Sequence, residues 1–373
     1  MDQHVNALTE SGVLTADWAT TFLAVPRREY LPEVLWEYCV DDDMYHPVDR
    51  SVNPQRWLAL ANGESQVVTQ VDDGRPVGPD GLGDIPTSSA SMPRIVALML
   101  KHLEAQVGDR VLEIGTGTGW NAALMAQRLG AERVTTIEVD YGVAEQARQA
   151  LRDAGFGKVR VITGNGSEGY PNEAPYHRVI STAACHTVPY AWVRQCRPGG
   201  RIVTPWGSEF KNWALLALDV NEDGTAVGGV VGTADFMRLR DQRLSPWTSP
   251  EQWQEDIATT RETSIHPTDV MRRGNVLMAM AAWVPNCQAR YRQPLPETGN
   301  LSTMYLSDAR TGSWARLVAK PESDGPHRVV QGGTRWLFDE VEAAYERWVR
   351  EGQPGTDEWL ITVGKDGQRM ELV

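Results

Sequence analysis

The sequence predicts a doubly wound α/β domain, preceded by a helical N-terminal segment and followed by an α+β extension. Three observations point there. Short apolar runs alternate with amphipathic segments through the middle of the chain, as in a parallel sheet with crossover helices. One of those runs ends in a compressed glycine loop, VLEIGTGTGW (111–120), where a strand hands over to a helix. Beyond about residue 220 tryptophan and proline appear without sheet rhythm.

Residues 1–40 read as helices, with Leu8, Val13, Leu14, Trp18 and Phe22 near helical spacing. In VPRREYLPE (25–33), Pro26 and Pro32 bracket a turn. After the acidic run Asp41–Asp43, the stretch VDDGRPVGPDGLGDIP (71–86) reads as loop. Its length suggests function, because it runs into Thr87-Ser88-Ser89-Ala90-Ser91. Residues 92–104 form a helix with Ile95, Leu98, Met99 and Leu103 on one face. RVLEIG (110–115), VTTIEVD (134–140), VRVITG (159–164), RVISTAA (178–184) and GGRIVTPW (199–206) read as strands. Helices fall at 119–130 and at 142–155, the second ended by Gly155. LLALDV (215–220) and VGGVVGTADF (227–236) make a hairpin. SPWTSPEQWQED (245–256) has no sheet rhythm. Helix 336–351 carries Leu337, Val341, Ala344, Tyr345 and Trp348 on one stripe, and WLITVGKDGQRMELV (359–373) is a hairpin turning at Lys365-Asp366-Gly367. The expected division is 1–84 (helical segment and loop), 85–220 (central domain) and 221–373 (extension, for substrate recognition).

With 373 residues, 41% of them hydrophobic, the chain has ample material for a core. A net charge of −13 without a Lys/Arg block argues against nucleic acid and against anionic membrane as partners. Cys39, Cys185, Cys196 and Cys287 are far apart, so neither a zinc site nor a disulfide framework is expected, and free thiols suit a reducing cytoplasm. No signal peptide or membrane span is read. Most of the fourteen tryptophans are expected to pack the core, a few to wall a peptide groove.

The chemistry concentrates in Glu113-Ile-Gly115-Thr116-Gly117-Thr118-Gly119. Glycines let backbone approach a ligand closely. A dinucleotide loop would need its third glycine at 120, which is Trp120. The compressed form, with an acid two residues before it, suits a cofactor without phosphate, Glu113 balancing the ammonium of a methionine moiety. Glu138 ends the next strand, with Val139 after it, where an acid accepts both ribose hydroxyls. Adenine then falls near Gly164-Asn165-Gly166. A plain strand–helix turn would need none of these partners in this strand order.

Here the sequence resembles the protein-L-isoaspartate O-methyltransferase family, over about residues 20–220, with a Rossmann-like class I methyltransferase fold implied. VPRREYLPE, Ser91-Met92-Pro93, VLEIGTGTGW, TIEVD, RVISTAA and RPGGRIVTPWG carry the resemblance. It implies S-adenosylmethionine as cofactor, S-adenosylhomocysteine as product, and Ser91 beside the acceptor carboxylate. Asn165 stands where that family usually has Asp, and Cys185-His186 where it usually has Ala-Pro. The extension, with FMRLR (236–240), is similar to that of actinobacterial relatives that tailor ribosomally made peptides (graspetides, lanthipeptides, lasso peptides) by methylating a constrained Asp, which collapses to aspartimide. The graspetide branch is the nearest in appearance.

A carboxylate with a pKa of about 4 is ionised at neutral pH and needs no general base, so alignment and water exclusion are the enzyme's work. Ser91, with Ser88 and Ser89, is expected to hold the acceptor; helix capping by Ser91 is the plainer role. His186 is a candidate for orienting it, Arg238, Arg240 and Arg243 for pairing with acidic groups, and Tyr45, Trp57 and Trp120 for pocket walls. The expected function is methyl-esterification of an Asp side chain in a macrocyclic, already modified precursor peptide. An isoaspartate repair enzyme and an inactive scaffold are the alternatives. No metal is expected.

Overall fold

The structure, a computed structural model, describes residues 2–247, 253, 258–293, 301–319 and 325–373. Helices α1 (Asp2–Glu10) and α2 (Ala16–Ala24) open the chain, and α2 turns Trp18 and Phe22 into the core. The helical reading then fails. Residues 34–90 contain an antiparallel sheet of β1 (Val34–Cys39), β2 (Met44–Asp49), β3 (Val67–Val71) and β4 (Pro86–Ala90), ordered β2-β1-β3-β4. Helix α3 (Pro54–Asn62) packs Trp57 and Ala61 against Leu35, Val48, Val67 and Ala90. These strands are short and half solvated, so partners distant in sequence, more than their own residues, make them strands. The Gly/Pro loop between β3 and β4 closes on the Asp72 carboxylate, which accepts N–H groups of Val77 (3.2 Å), Asp84 (3.0 Å) and Ile85 (2.8 Å).

The central domain follows as read: α4 (Pro93–Leu103), β5 (Val111–Ile114), α5 (Trp120–Leu129), β6 (Val134–Glu138), α6 (Tyr141–Asp153), β7 (Arg160–Thr163), β8 (Tyr176–Ser181), α7 (Tyr190–Gln195) and β9 (Cys196–Gly207). Strands β5 to β9 are parallel. From β5 the chain steps to β6 and β7 on one side, then to β8 and β9 on the other, so the switch point lies between β5 and β8. Open α/β sheets bind ligands at the carboxyl ends of such strands. β10 (Asn212–Val220) and β11 (Ala226–Thr233) add the expected antiparallel hairpin.

The extension contains β12 (Thr259–Thr263), α8 (Pro267–Met271), α9 (Gly274–Trp283), β13 (Gln288–Arg292), β14 (Ser302–Asp308), β15 (Ser313–Ala319), β16 (His327–Gly332) and α10 (Leu337–Arg350). Its five strands make a second antiparallel sheet, ordered β12-β16-β15-β14-β13. Its last hairpin, β17 (Trp359–Gly364) and β18 (Gly367–Leu372), returns to the central sheet, whose full order is β18-β17-β11-β10-β9-β8-β5-β6-β7. The boundary drawn at residue 220 therefore cuts through one sheet. Alternate residues explain the sharing. Leu112, Val179, Ile202 and Leu216 face a core with Met278, Phe338, Val341 and Trp348 of the extension. Val111, Ile180, Val203 and Leu215 face the opposite core with Trp18, Phe22, Leu100 and Leu124. Most of 245–256 lies outside the described residues. Among the described residues no helix is long and apolar enough to cross a membrane.

Candidate active site

A cavity of 1370 Å³ opens at the switch point, bounded by β4, the glycine loop, the ends of β6 and β8, and residues 233–244. Gly115 has φ +88, and a Cβ there would lie 2.8 Å from Thr182 Oγ1; Gly117 has φ +52. Both positions favour glycine. Gly115, Thr116, Gly117, Thr118, Glu138, Val139, Asn165 and Gly166 line the cavity as expected. Two expected residues are not among its lining. Gly119 starts α5 and gives close packing, since a Cβ would lie 3.3 Å from Leu151 Cγ. Gly164 donates its N–H to the Glu138 carbonyl (2.9 Å).

The Glu138 carboxylate accepts N–H groups from Gly117 and Asp140, each at 3.0 Å. Burial raises its pKa against those two bonds. It is thus fixed at the β6 end, where an acid reaches ribose hydroxyls. Asp140 caps α6 by accepting the Val143 N–H (3.1 Å) and meets Arg240 Nη2 at 2.9 Å. Arg240 also lies 3.2 Å from Asp73 Oδ1, and Arg243 holds both Asp73 oxygens at 2.7 and 2.8 Å. Sequence reasoning aimed these arginines at the substrate. Their partners are instead the loop after β3 and the cap of α6, so they strap residues 239–244 across the cofactor end of the cavity. All three arginines line the cavity, and Arg238 donates to the carbonyls of Ser208 (2.6 Å) and Gly207 (3.4 Å).

Glu113 is completely buried, and burial pushes its pKa up to about 7 although Thr136 (2.6 Å) and Asn121 (2.7 Å) donate to it. It is among the residues that line the cavity, as expected, with its carboxylate held by Thr136 and Asn121. Asn121, which lines the cavity, gives its Nδ2 to Glu113 and leaves Oδ1 buried without a hydrogen-bond partner. That orphaned acceptor fits an ammonium, with Glu113 polarising the amide from behind. The two glycines and the anchored Glu138 likewise fit S-adenosylmethionine. Asn165 differs from expectation too: its Oδ1 accepts the Ser167 N–H (3.0 Å) and its Nδ2 donates to Asp241 (3.0 Å). The amide oxygen expected to read adenine already accepts one bond in the local turn, and Asp241 brings a carboxylate to that end.

On the acceptor side, Ser88 and Ser89 sit on β4 and Ser91 just before α4, all lining the cavity. Ser91 is not the cap: Met92 holds that position, and Pro93 opens the helix. Ser88 is the most buried of the three and accepts from Thr69 (3.3 Å). Arg27, which the sequence did not single out, fixes this edge by donating to the carbonyls of Ser65 (2.7 Å), Gly63 (2.7 Å) and Ser91 (3.2 Å). The VPR segment that contains it was the available signal. Tyr45 and Trp120 line the cavity; Trp120 is pinned by its Nε1 to the Val25 carbonyl (2.9 Å). Trp57 does not, and belongs to the core beneath the small sheet. His186 is also not among the lining residues. Its N–H donates to Gln242 (2.9 Å), its carbonyl accepts from Trp206 (2.9 Å), and burial and then Arg238 lower its pKa. Its backbone ties the β8 loop to the later segments.

Comparison with known proteins bears on this geometry. Residues 71–244 match the family described as protein-L-isoaspartate(D-aspartate) O-methyltransferase. A protein-L-isoaspartate O-methyltransferase of Pelotomaculum thermopropionicum is 32% identical over 233 residues, covering 62% of this chain and 84% of that protein. The chain belongs to the protein-L-isoaspartate O-methyltransferase family. A second relative, protein-L-isoaspartate O-methyltransferase 2 of Archaeoglobus fulgidus, is 39% identical over 153 residues, 41% of this chain and 69% of its own. A solved structure titled protein-L-isoaspartate O-methyltransferase shares the fold over 100% of this chain and 99% of its own, with a TM-score of 0.56 at 19% identity. Family membership makes the chain an S-adenosylmethionine-dependent carboxyl O-methyltransferase. The family match runs to residue 244, so FMRLR belongs to the family domain and not to the extension.

Proposed function

We propose that the chain esterifies the free carboxylate of an aspartate-derived residue in a peptide or protein, with L-isoaspartyl residues, whose free group is the α-carboxylate, as the first acceptor class. The observation that carries this is the contact between the serine strand and the cofactor loop: a Cβ on Gly117 would lie 3.5 Å from the Ser89 carbonyl oxygen. A carboxylate held along β4 is thereby brought against the loop that holds the methyl donor. The names of the relatives support the isoaspartyl acceptor.

S-adenosylmethionine supplies a methyl group on a sulfonium sulfur. When bound, it would offer that methyl to the ionised acceptor oxygen, the C–O bond forming as the C–S bond breaks and its electron pair stays on sulfur. No proton moves, so no base is required. Ser91 and Ser89 hydroxyls orient the second carboxylate oxygen; Tyr45, Trp120 and the Arg240 strap limit water.

A second acceptor, an L-Asp held in a cross-linked ribosomal peptide, is favoured by one feature. The cavity of 1370 Å³ must hold the methyl donor as well as the acceptor, and its serine-lined side leaves room beside the donor for a folded-back acceptor. There the next backbone amide would displace methanol from the ester and leave aspartimide. One experiment separates the readings: methyl transfer to an isoaspartyl peptide, its Asp twin, and a macrocyclic Asp peptide, followed by mass spectrometry. The repair reading requires a gain of one methyl on the isoaspartyl peptide alone. Turnover of the macrocycle alone, ending in net loss of one water, would replace it with the second. Absence of S-adenosylhomocysteine binding by calorimetry would leave an inactive scaffold.

A further inference from the structure

We propose that the tip of the β1–β2 hairpin binds one divalent transition cation of the zinc type, through Cys39 Sγ, the Asp42 carboxylate and His46 Nε2. The acidic run Asp41–Asp43 has no part in methyl transfer, and the hairpin gives it one. Cross-strand partners share a face of a sheet. Glu37 faces His46 and Cys39 faces Met44 in the register, so Glu37, Cys39, Met44 and His46 project to one side. Asp43, at φ +59, turns the chain so that Asp42 swings over that side. The Asp42 side chain is fixed there by the Met44 N–H on Oδ1 (3.2 Å) and by His46 Nε2 on Oδ2 (2.8 Å). The Cys39 thiol lies beside the same carboxylate.

The three donor atoms lie within 4.8 Å of one another. A tetrahedral site with bonds of about 2.0–2.3 Å needs its donors about 3.5 Å apart, a distance rotamer adjustment of exposed side chains can reach. Sulfur, imidazole and carboxylate together select a borderline-soft cation over magnesium or calcium. A metal-bound cysteine is a thiolate, so binding should release the thiol proton. Competition from basic side chains is low: among the described residues no Lys or Arg forms an ion pair with Asp42, and Arg56 pairs with Glu37. Cys39 is also the one cysteine of the four that is not buried. The sequence pointed away from zinc because it has no C-x-x-C pair; a hairpin brings a Cys-x-x-Asp-x-x-x-His set together without one. The next residue along β2, Tyr45, walls the cavity and bridges to Gly83, so an occupied tip would stiffen that wall.

The test uses the full chain without an affinity tag, stripped with chelator and titrated with Zn²⁺ by calorimetry and Co²⁺ by absorbance. Expected are one zinc per chain, a near-ultraviolet thiolate-to-cobalt band, and binding weakened by more than about tenfold in both Cys39→Ser and His46→Gln. Cys39→Ser should also lose the cobalt band. Circular dichroism checks that these surface variants fold. Equal zinc uptake by wild type and the Cys39→Ser/His46→Gln double variant, or no uptake by wild type at tens of micromolar zinc, would overturn the proposal.

Discussion

Replacing Arg240 by Gln tests whether the strap over the cavity holds the cofactor. The guanidinium side chain is 27% exposed and meets Asp140, 15% exposed, at 2.9 Å, and Asp73, 41% exposed, at 3.2 Å. An exposed ion pair contributes about 0–1 kcal/mol and a charge-assisted hydrogen bond with a mostly buried partner about 1.5–3 kcal/mol. The Asp140 contact falls between these limits and the Asp73 contact near the lower one, so the strap loses roughly 1–2 kcal/mol. Asp140 donates its N–H to Glu138, so loosening it also loosens the ribose acceptor. If the strap closes on the cofactor, the Kd for S-adenosylhomocysteine should rise by roughly 5- to 30-fold, each 1.4 kcal/mol being about tenfold. Arg243→Gln touches only the more exposed Asp73 and should cost less than about 1 kcal/mol. Calorimetry on the three proteins at two salt concentrations measures this, and the wild-type advantage should shrink with salt. An Arg240→Gln affinity within twofold of wild type, or a larger effect from Arg243→Gln, would refute the argument.

Four further outcomes are expected. Glu138→Ala removes the acceptor of the Gly117 and Asp140 N–H groups as well as the ribose contact, and cofactor affinity should drop by about 1.5–3 kcal/mol in the same assay. Ser91→Ala should lower kcat on the peptide while leaving the S-adenosylhomocysteine Kd within about twofold, since its effect is confined to acceptor alignment. Truncation after residue 220 should abolish cofactor binding along with methylation, because it removes β11, the strap and the closing hairpin; solubility and calorimetry of the truncate decide this. Glu113 has its pKa raised by burial to about 7, so between about pH 4.5 and 7 the unfolded chain gives up a proton that the native chain keeps. That contribution to stability is full below pH 4.5 and lost as pH rises to 7, on the order of 2–3 kcal/mol. Glu113→Gln should remove it, and urea midpoints of wild type and variant that fall in parallel from pH 5 to 7.5 would contradict the assignment.

The cofactor half of the site could be read from the chain because its determinants are local. Gly115 and Gly117 follow the short buried strand β5 and Glu138 closes the buried strand β6, and each glycine is required by its own backbone angle or a nearby atom. The acceptor half was less legible. β4 is PTSSA, which has no apolar alternation, and β2 carries Pro47; they are strands because β1 and β3 lie beside them. Partners were the hardest to see. Asn121 looks like any helix residue until Glu113 takes its amide nitrogen, and Arg240 like any surface charge until Asp73 and Asp140 arrive from distant loops. The boundary at 220 failed because the strand that covers β11 is supplied far downstream. Most of the tryptophans followed their plainer reading: Trp57, Trp192, Trp206 and Trp348 are fully buried.

That distant strand has a consequence for biosynthesis. Ala226 in β11 pairs with Val363 in β17, well over a hundred positions later in the chain. Until the ribosome has delivered that segment, β11 presents an open row of amides and carbonyls beside a Gly- and Val-rich surface, the kind of edge that recruits other chains. Closing so long a loop is slow, and the nascent sheet must wait for it with that edge open. Translation errors or stalls between residues 234 and 358 should therefore yield sticky, inactive fragments in place of a smaller working enzyme, and chaperone supply during expression should govern yield more than codon choice near the start.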